Sequence, residues 1–272
     1  MDFMKAAYTD IGIRKKTNQD SYSIKAAETR MGTMVMSVIC DGMGGLSKGE
    51  VASATMIHAF SKWFANDLPG VIAQIPMTIQ PESQSVQWME ECQERIKQQW
   101  LDLIDHYNEK IAMYGDAQSI QLGTTLTVLL LFDLHFMMIC HVGDTRIYKL
   151  NRDKISLLTE DQTVVEREIK AGRMSKQQAA KDPRRNVLLQ CIGASRIVQP
   201  EIIHGNVQNG EVFLLCSDGF RHQITEQEIK ELCSPTTLQN EQVMQEGLKE
   251  LTKRDMQRNE TDNITGVLVK IL

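Results

Sequence analysis

Val35-Met36-Ser37-Val38-Ile39-Cys40-Asp41-Gly42-Met43-Gly44-Gly45 is the stretch from which the rest of the chain is read. A short apolar run ends in an acid, and glycines follow. Such a run, closed by glycines, reads as a buried strand. Asp41 then stands at the strand's end, where a site can open to solvent. Gly42, Gly44 and Gly45 let the backbone bend sharply and come close to a ligand. Gly49-Glu50-Val51-Ala52-Ser53 begins a helix. Taken alone, the pattern has two readings. Asp41 either shapes a turn by bonding its own backbone or offers oxygen to a hard cation.

The arrangement recurs. Phe136–Val142 leads into Gly143-Asp144, Val212–Cys216 leads into Ser217-Asp218-Gly219, and Asp262 opens the strand Ile264–Ile271. If these strands are neighbours, Asp41, Asp144, Asp218 and Asp262 meet at one rim. Their mutual repulsion is costly without cations. Oxygen-only ligands point to Mg²⁺ or Mn²⁺ and away from zinc. Two such ions sharing a carboxylate are a common device for phosphoryl chemistry.

Composition narrows the partners. The chain has 272 residues, 42% hydrophobic and 24% charged, enough for a full core. A net charge of −5 with no basic block argues against nucleic acid or an acidic membrane surface as a partner. No apolar stretch approaches the ~18 residues of a membrane span, and Met1-Asp2-Phe3-Met4-Lys5 lacks a signal-peptide apolar region. A cytoplasmic protein without a membrane partner is the expectation. Cys40, Cys92, Cys140, Cys191, Cys216 and Cys233 form no C-x-x-C pair, so neither a zinc site nor a disulfide framework is expected.

Outward from the central strand, Phe3–Tyr8 and Ser21–Ala26 read as strands, with a polar loop between them. In that loop Arg14-Lys15-Lys16 is either a solvated basic turn or a cation held for phosphate. Val51–Phe64 is helical, with Val51, Ala54, Ile57, Phe60 and Phe64 on one apolar face. Asn66–Ser85 holds four Pro and Gly residues and reads as a loop. A longer helix carries the stripe Met89, Cys92, Ile96, Trp100, Leu103, Tyr107 and Ile111. Gly123–Leu131 and Phe136–Val142 form a hairpin turned at Asp133-Leu134-His135, and Thr145–Lys149 and Lys154–Leu158 follow as strands. Thr159-x-x-Gln162 and Ser175-x-x-Gln178 fit capping boxes for two short polar helices, a surface excursion. Thr225-x-x-Glu228 caps a further helix, Leu238–Leu251 is another, and Ile264–Ile271 closes the chain as a strand.

In their order, these motifs resemble the protein phosphatase 2C family, in its bacterial form. Gly12–Asp20 is similar to its first motif, and Asp41-Gly42-Met43-Gly44-Gly45 with Gly49-Glu50-Val51-Ala52 to its second. Gly123-Thr124-Thr125-Leu126, His141-Val142-Gly143-Asp144-Thr145-Arg146, Leu158–Gln162, Ser217-Asp218-Gly219 and Asp262-Asn263-Ile264-Thr265 continue the series. The resemblance implies an α+β fold, a four-layer α-β-β-α sandwich of two stacked antiparallel sheets flanked by helices. It implies one catalytic domain over residues 1–272, with residues 161–193 as a flap bordering substrate. It also implies roles: Asp41 bridging two Mn²⁺ or Mg²⁺ ions, the Gly42 carbonyl on one, Asp218 and Asp262 on the other, and Asp20 holding water. Asp144, with Asp218, would serve a third, looser ion.

The chain departs from the family pattern at several places. The family's phosphate-binding arginine falls at Lys15, while Arg14 is one residue early. A one-residue shift in extended chain reverses the side chain, and lysine lacks the bidentate fork of arginine. Either Lys15 serves or a small bulge brings in Arg14. Gln19 replaces an acid, His222 stands where some members have an aspartate near the third ion, and Met43 replaces a histidine acid. The implied activity is a metal-dependent serine/threonine protein phosphatase, acting on phosphoserine and phosphothreonine proteins and opposing a Ser/Thr kinase. The alternative is a phosphatase-like module that binds phosphoproteins or a regulator with little turnover.

Overall fold

The computed structural model describes residues 2–29, 32–43, 48–74, 82–132 and 136–272, with 82–88 by backbone alone. Gly44 and Gly45, the loop prolines Pro76 and Pro81, and the hairpin turn Asp133-Leu134-His135 lie outside them. In chain order the strands and helices begin with β1 (Phe3–Asp10), β2 (Asp20–Thr29) and β3 (Gly32–Met43). Three helices follow: α1 (Gly49–Asn66), α2 (Leu68–Ala73) and α3 (Glu82–Gln118). Next come β4 (Gly123–Thr124), β5 (Leu126–Phe132), β6 (Phe136–Val142), β7 (Arg146–Leu150) and β8 (Ile155–Leu157). The short helices α4 (Val164–Lys170) and α5 (Lys176–Ala179) precede β9 (Glu201–Asn206) and β10 (Val212–Cys216). The chain finishes with α6 (Asp218–Arg221), α7 (Glu226–Cys233), α8 (Glu241–Gln257) and β11 (Ile264–Ile271).

The strands make two antiparallel sheets. One has the order β1-β11-β10-β7-β8, the other β2-β3-β5-β6-β9, with β4 paired to β3. Alternation along β3 shows how the layers form. Val35 and Ile39, with Leu129 and Ile139 of the same sheet, face the other sheet and pack on its Phe213, Leu215 and Val267. Met34, Met36 and Val38 point the opposite way, onto Phe60, Trp63, Ile96 and Trp100 of α1 and α3. A strand covered on both faces needs no polar side, which is why this run is apolar throughout. The second sheet packs likewise on α7 and α8 through Leu214, Leu268, Ile229, Leu248 and Leu251. The four-layer α-β-β-α sandwich expected from the motifs is therefore observed.

Some elements differ from the sequence reading. The buried face of α1 centres on Ala52, Met56, Ala59, Phe60 and Trp63, with Ala54 exposed. Apolar residues surround much of this helix, so spacing alone does not choose its inner face. The segment read as a loop contains α2, which Pro69 opens in its first turn, where a missing N–H costs nothing. Strand β9, polar and half-exposed, carried no apolar signal. Thr159 caps no helix: its hydroxyl accepts the Ile147 N–H, and Thr163 caps α4 by accepting from Glu166. The boxes at Ser175 and Thr225 form as read. All six cysteines are free and buried. Among the described residues no helix is long and apolar enough to cross a membrane.

Candidate active site

Register brings the acids together. Asp20 pairs directly with Asp41 across β2 and β3, so the two carboxylates share one face. Directly opposed like charges destabilise a sheet unless something neutralises them. In the other sheet Cys216 pairs with Gly266 on one side and with Arg146 on the other. Asp218 and Asp144 lie two residues beyond these pairs, and Asp262 two residues before Ile264, which pairs with Asp10 of β1, all at the same end. Close backbone packing fixes these ends. A Cβ at Gly42 would overlap the carbonyls of Gly49 and Gln19, and one at Gly219 would overlap the Asn263 carbonyl. Glycine is thus required where β3 meets α1 and where α6 meets β11.

Backbone bonds complete the frame. Asp41 donates its N–H to Thr125 Oγ1 at 2.8 Å, and its carbonyl accepts from Thr125 N and Thr124 Oγ1. The Gly42 N–H bonds the Gln19 carbonyl at 3.1 Å. Asn263 accepts the Gln19 N–H through Oδ1 and donates Nδ2 to the carbonyls of Ile11 and Thr17. This amide ties the first loop to the Asp262 segment and carries Lys15 over the acids. Lys15 Nζ lies 2.7 Å from Asp262 Oδ1. Arg14 and Lys15 are both exposed, but of the two only Lys15 makes an ion pair with a rim acid.

The electrostatics of the rim are those of uncompensated acid. Burial, only partly opposed by the nearby hydroxyls of Thr265 and Ser217 and reinforced by the charges of Asp218 and Asp262, pushes Asp20 up to about 7. Burial, followed by its acidic neighbours Asp20 and Asp218, moves Asp41 well above the carboxylate range. Asp144 rises to about 7 for the same reasons, although Arg221 opposes the shift. Burial would depress Lys15, but Asp262, Asp41 and Asp218 outweigh it and raise the ammonium. Both carboxylate oxygens of Asp20 and Oδ1 of Asp218 are buried and make no hydrogen bond. Orphaned carboxylate oxygens cost several kcal/mol in a dry site unless a cation meets them. Among the described residues no three His, Cys, Asp or Glu side chains close on a single point. The acids instead line a shared cleft, an oxygen donor set that suits hard cations completed by water.

A cavity of about 690 Å³ opens from Asp144 and Asp262 towards the excursion 161–193 and is lined there by Asp161, Val165, Ile169, Lys176 and Arg185. The excursion is rooted by hydrogen bonds. Buried His141 contacts Thr127 Oγ1 through Nδ1 at 2.8 Å and donates Nε2 to the Glu160 carbonyl at 2.9 Å. Its burial lowers it to about 4, so the ring is neutral. Gln162 accepts the Gly143 N–H and donates to the His141 carbonyl. Asp161 takes the fork of Arg146 at 2.7 Å through both Nε and Nη2. His222 lies between Asp218 Oδ2 (3.6 Å) and Glu260 Oε2 (3.3 Å). Arg221, Glu260 and the anchoring role of Asn263 carried no signal in the sequence, because each works through a side chain crossing between distant segments.

Comparison with known proteins agrees with this architecture. A family profile described as Protein phosphatase 2C matches residues 13–268. The serine/threonine phosphatase stp of Listeria innocua is 26% identical over 264 residues, 96% of this chain and 93% of that protein. The solved S. agalactiae serine/threonine phosphatase superposes with a TM-score of 0.74 at 27% identity, covering both chains completely. The catalytic domain of the serine/threonine protein phosphatase PstP, solved with two manganese ions, has a TM-score of 0.69 at 23% identity and covers 99% of this chain and 98% of its own.

Proposed function

The chain belongs to the protein phosphatase 2C family and is a serine/threonine protein phosphatase, and we propose that the acidic rim is its catalytic centre. The whole chain then acts as one catalytic domain, with residues 161–193 as its flap. Asp41, the Gly42 carbonyl, Asp218 and Asp262 would hold divalent ions, Mn²⁺ or Mg²⁺. The convergence of the unpartnered oxygens of Asp20 and Asp218 with Asp41, opposite Asp20, at one rim carries this reading, since repulsion among several buried carboxylates is offset by a bound cation. When bound, such ions supply Lewis acidity that lowers the pKa of water and offsets charge on phosphoryl oxygens.

The chain's own residues do the rest. Lys15 attracts the phosphate dianion as a point charge and leaves Asp262 to do so. Asp20, opposite Asp41, accepts a hydrogen bond from the attacking water and takes its proton. Water oxygen bonds phosphorus as the bond to the serine or threonine oxygen breaks, and solvent protonates the leaving oxygen, because Met43 has no proton to give. Direct attack by water needs no phosphoenzyme, so none of the buried cysteines needs to serve as a nucleophile. Phosphoserine and phosphothreonine proteins are the substrates, and a Ser/Thr kinase is the opposing partner.

The test compares wild-type and Asp41→Asn protein on phosphopeptides and on small phosphometabolites. Wild type should prefer phosphopeptides, and Asp41→Asn should lose at least a hundredfold in turnover, the scale of one transition-state electrostatic contact, while keeping its circular dichroism. Equal turnover by the two folded proteins removes Asp41 from the centre. A preference for phosphometabolites removes the protein-substrate reading.

A further inference from the structure

Asp144 already has a cation of its own. Arg221 lies three residues beyond Asp218, at the end of α6, and its side chain is only 12% exposed. Nη2 donates to the Asp144 carbonyl at 3.1 Å and to Asp161 Oδ2 at 3.2 Å, and it stands 3.9 Å from Asp144 Oδ2. Arg146 clamps Asp161 from the other side. The next residue, His222, occupies the outer oxygen of Asp218. The acids therefore divide. Among the described residues Asp20, Asp41 and Oδ1 of Asp218 have no cationic side chain within 4 Å and Asp262 meets only the half-exposed ammonium of Lys15, whereas Asp144 and Asp161 share buried guanidinium groups.

We propose that the Arg221 guanidinium stands in the place of a third divalent ion beside Asp144, so that the centre loads two ions and no more. The proposal rests on reading the rim as a metal centre. Guanidinium stays charged at any working pH, so it cannot vacate the place by losing a proton. A dication approaching Asp144 would face the fixed like charge of a guanidinium whose side chain is only 12% exposed. The same guanidinium joins the loop of Asp144 to the flap's root at Asp161 and Arg146. That junction then holds whatever the metal concentration, and the flap needs no ion to dock.

Counting Mn²⁺ bound to the ion-stripped full chain, by calorimetry and by the electron paramagnetic resonance of free Mn²⁺, tests this. Wild type should bind two ions, and Asp144→Asn should still bind two. Arg221→Ala should gain a third, weaker site, lost again in the double variant with Asp144→Asn. A wild-type count of three that falls to two in Asp144→Asn overturns the proposal. So does a folded Arg221→Ala protein that still binds two. If Arg221→Ala does not fold, the wild-type and Asp144→Asn counts decide. A wild type that binds no Mn²⁺ overturns the metal-centre reading itself and this proposal with it.

Discussion

Lys15 pairs with Asp262 and Arg14 has no such pair, although the two are adjacent, Arg14 closing the turn that Gly12 opens and Lys15 following it. Lys15→Ala should raise KM for a phosphothreonine peptide roughly tenfold or more, the value of a charge-assisted hydrogen bond of ~1.5–3 kcal/mol. Arg14→Ala should change KM by no more than about twofold, as surface substitutions do. Initial-rate kinetics on the two variants check this, and the reverse order would assign phosphate to Arg14. Asp41, Asp144, Asp218 and Asp262 were legible because each ends or opens an apolar strand beside glycine or asparagine, a local pattern, whereas Asp20 entered only through the family resemblance. Arg221 and Glu260 were not, since their roles depend on contacts with residues far away in sequence, Asp144 and His222 among them. His222 was legible only as a departure, and its imidazole turns out to face two carboxylates at once.

Strands and helices were legible where one period dominates. β3, β5, β6, β10 and β11 announced themselves as apolar runs, and α3 as a single stripe with Trp100 at its centre. β9 escaped because a half-exposed edge strand has no such run, and α2 because its Pro and Gly read as loop chemistry. Capping motifs gave one false reading in three: a box also needs a helix to begin beyond it, and Thr159 instead serves the backbone of β7. At Thr225 the box is complete, with Oγ1 accepting from Glu228 N and Glu228 Oε2 accepting from Thr225 N. Thr225→Ala should therefore cost about 1 kcal/mol. For a chain of this size that lowers Tm by roughly 2–4 °C while leaving KM unchanged, as thermal melts and kinetics on the same preparation would show. A drop in activity without a drop in Tm would tie α7 to the site.

At the scale of the molecule, two sheets bring their like-charged ends together, and stability must register it. Folding raises Asp20 to about 7 from an unfolded value near ~3.9, with burial the leading cause, and Asp144 rises likewise. Between these limits the folded chain binds more protons than the unfolded one, so stability falls as pH rises from about 4 through about 7. His222, raised chiefly by Glu260 against its burial, loses its contribution in the same direction. Asp161 and Glu228, whose folded values are lowered, act with opposite sign but in the acid range below. Asp255 on α8, pushed up to about 8 by burial, acts in the same direction as Asp20. Ion-free protein should thus melt several degrees lower at about pH 7.5 than at about pH 5.5, and Mn²⁺ should remove the rim's share of the gap while Asp255→Asn removes the rest. Melting curves with and without chelator give the answer; a gap that Mn²⁺ leaves intact would place the cause elsewhere. The catalytic claim itself has a more direct test: phosphate release from a phosphothreonine peptide by purified protein with Mn²⁺, with Mg²⁺ and with chelator. The acidic rim predicts release that chelator stops and added Mn²⁺ restores. Release that continues in chelator, or none from folded protein supplied with either ion, would contradict it.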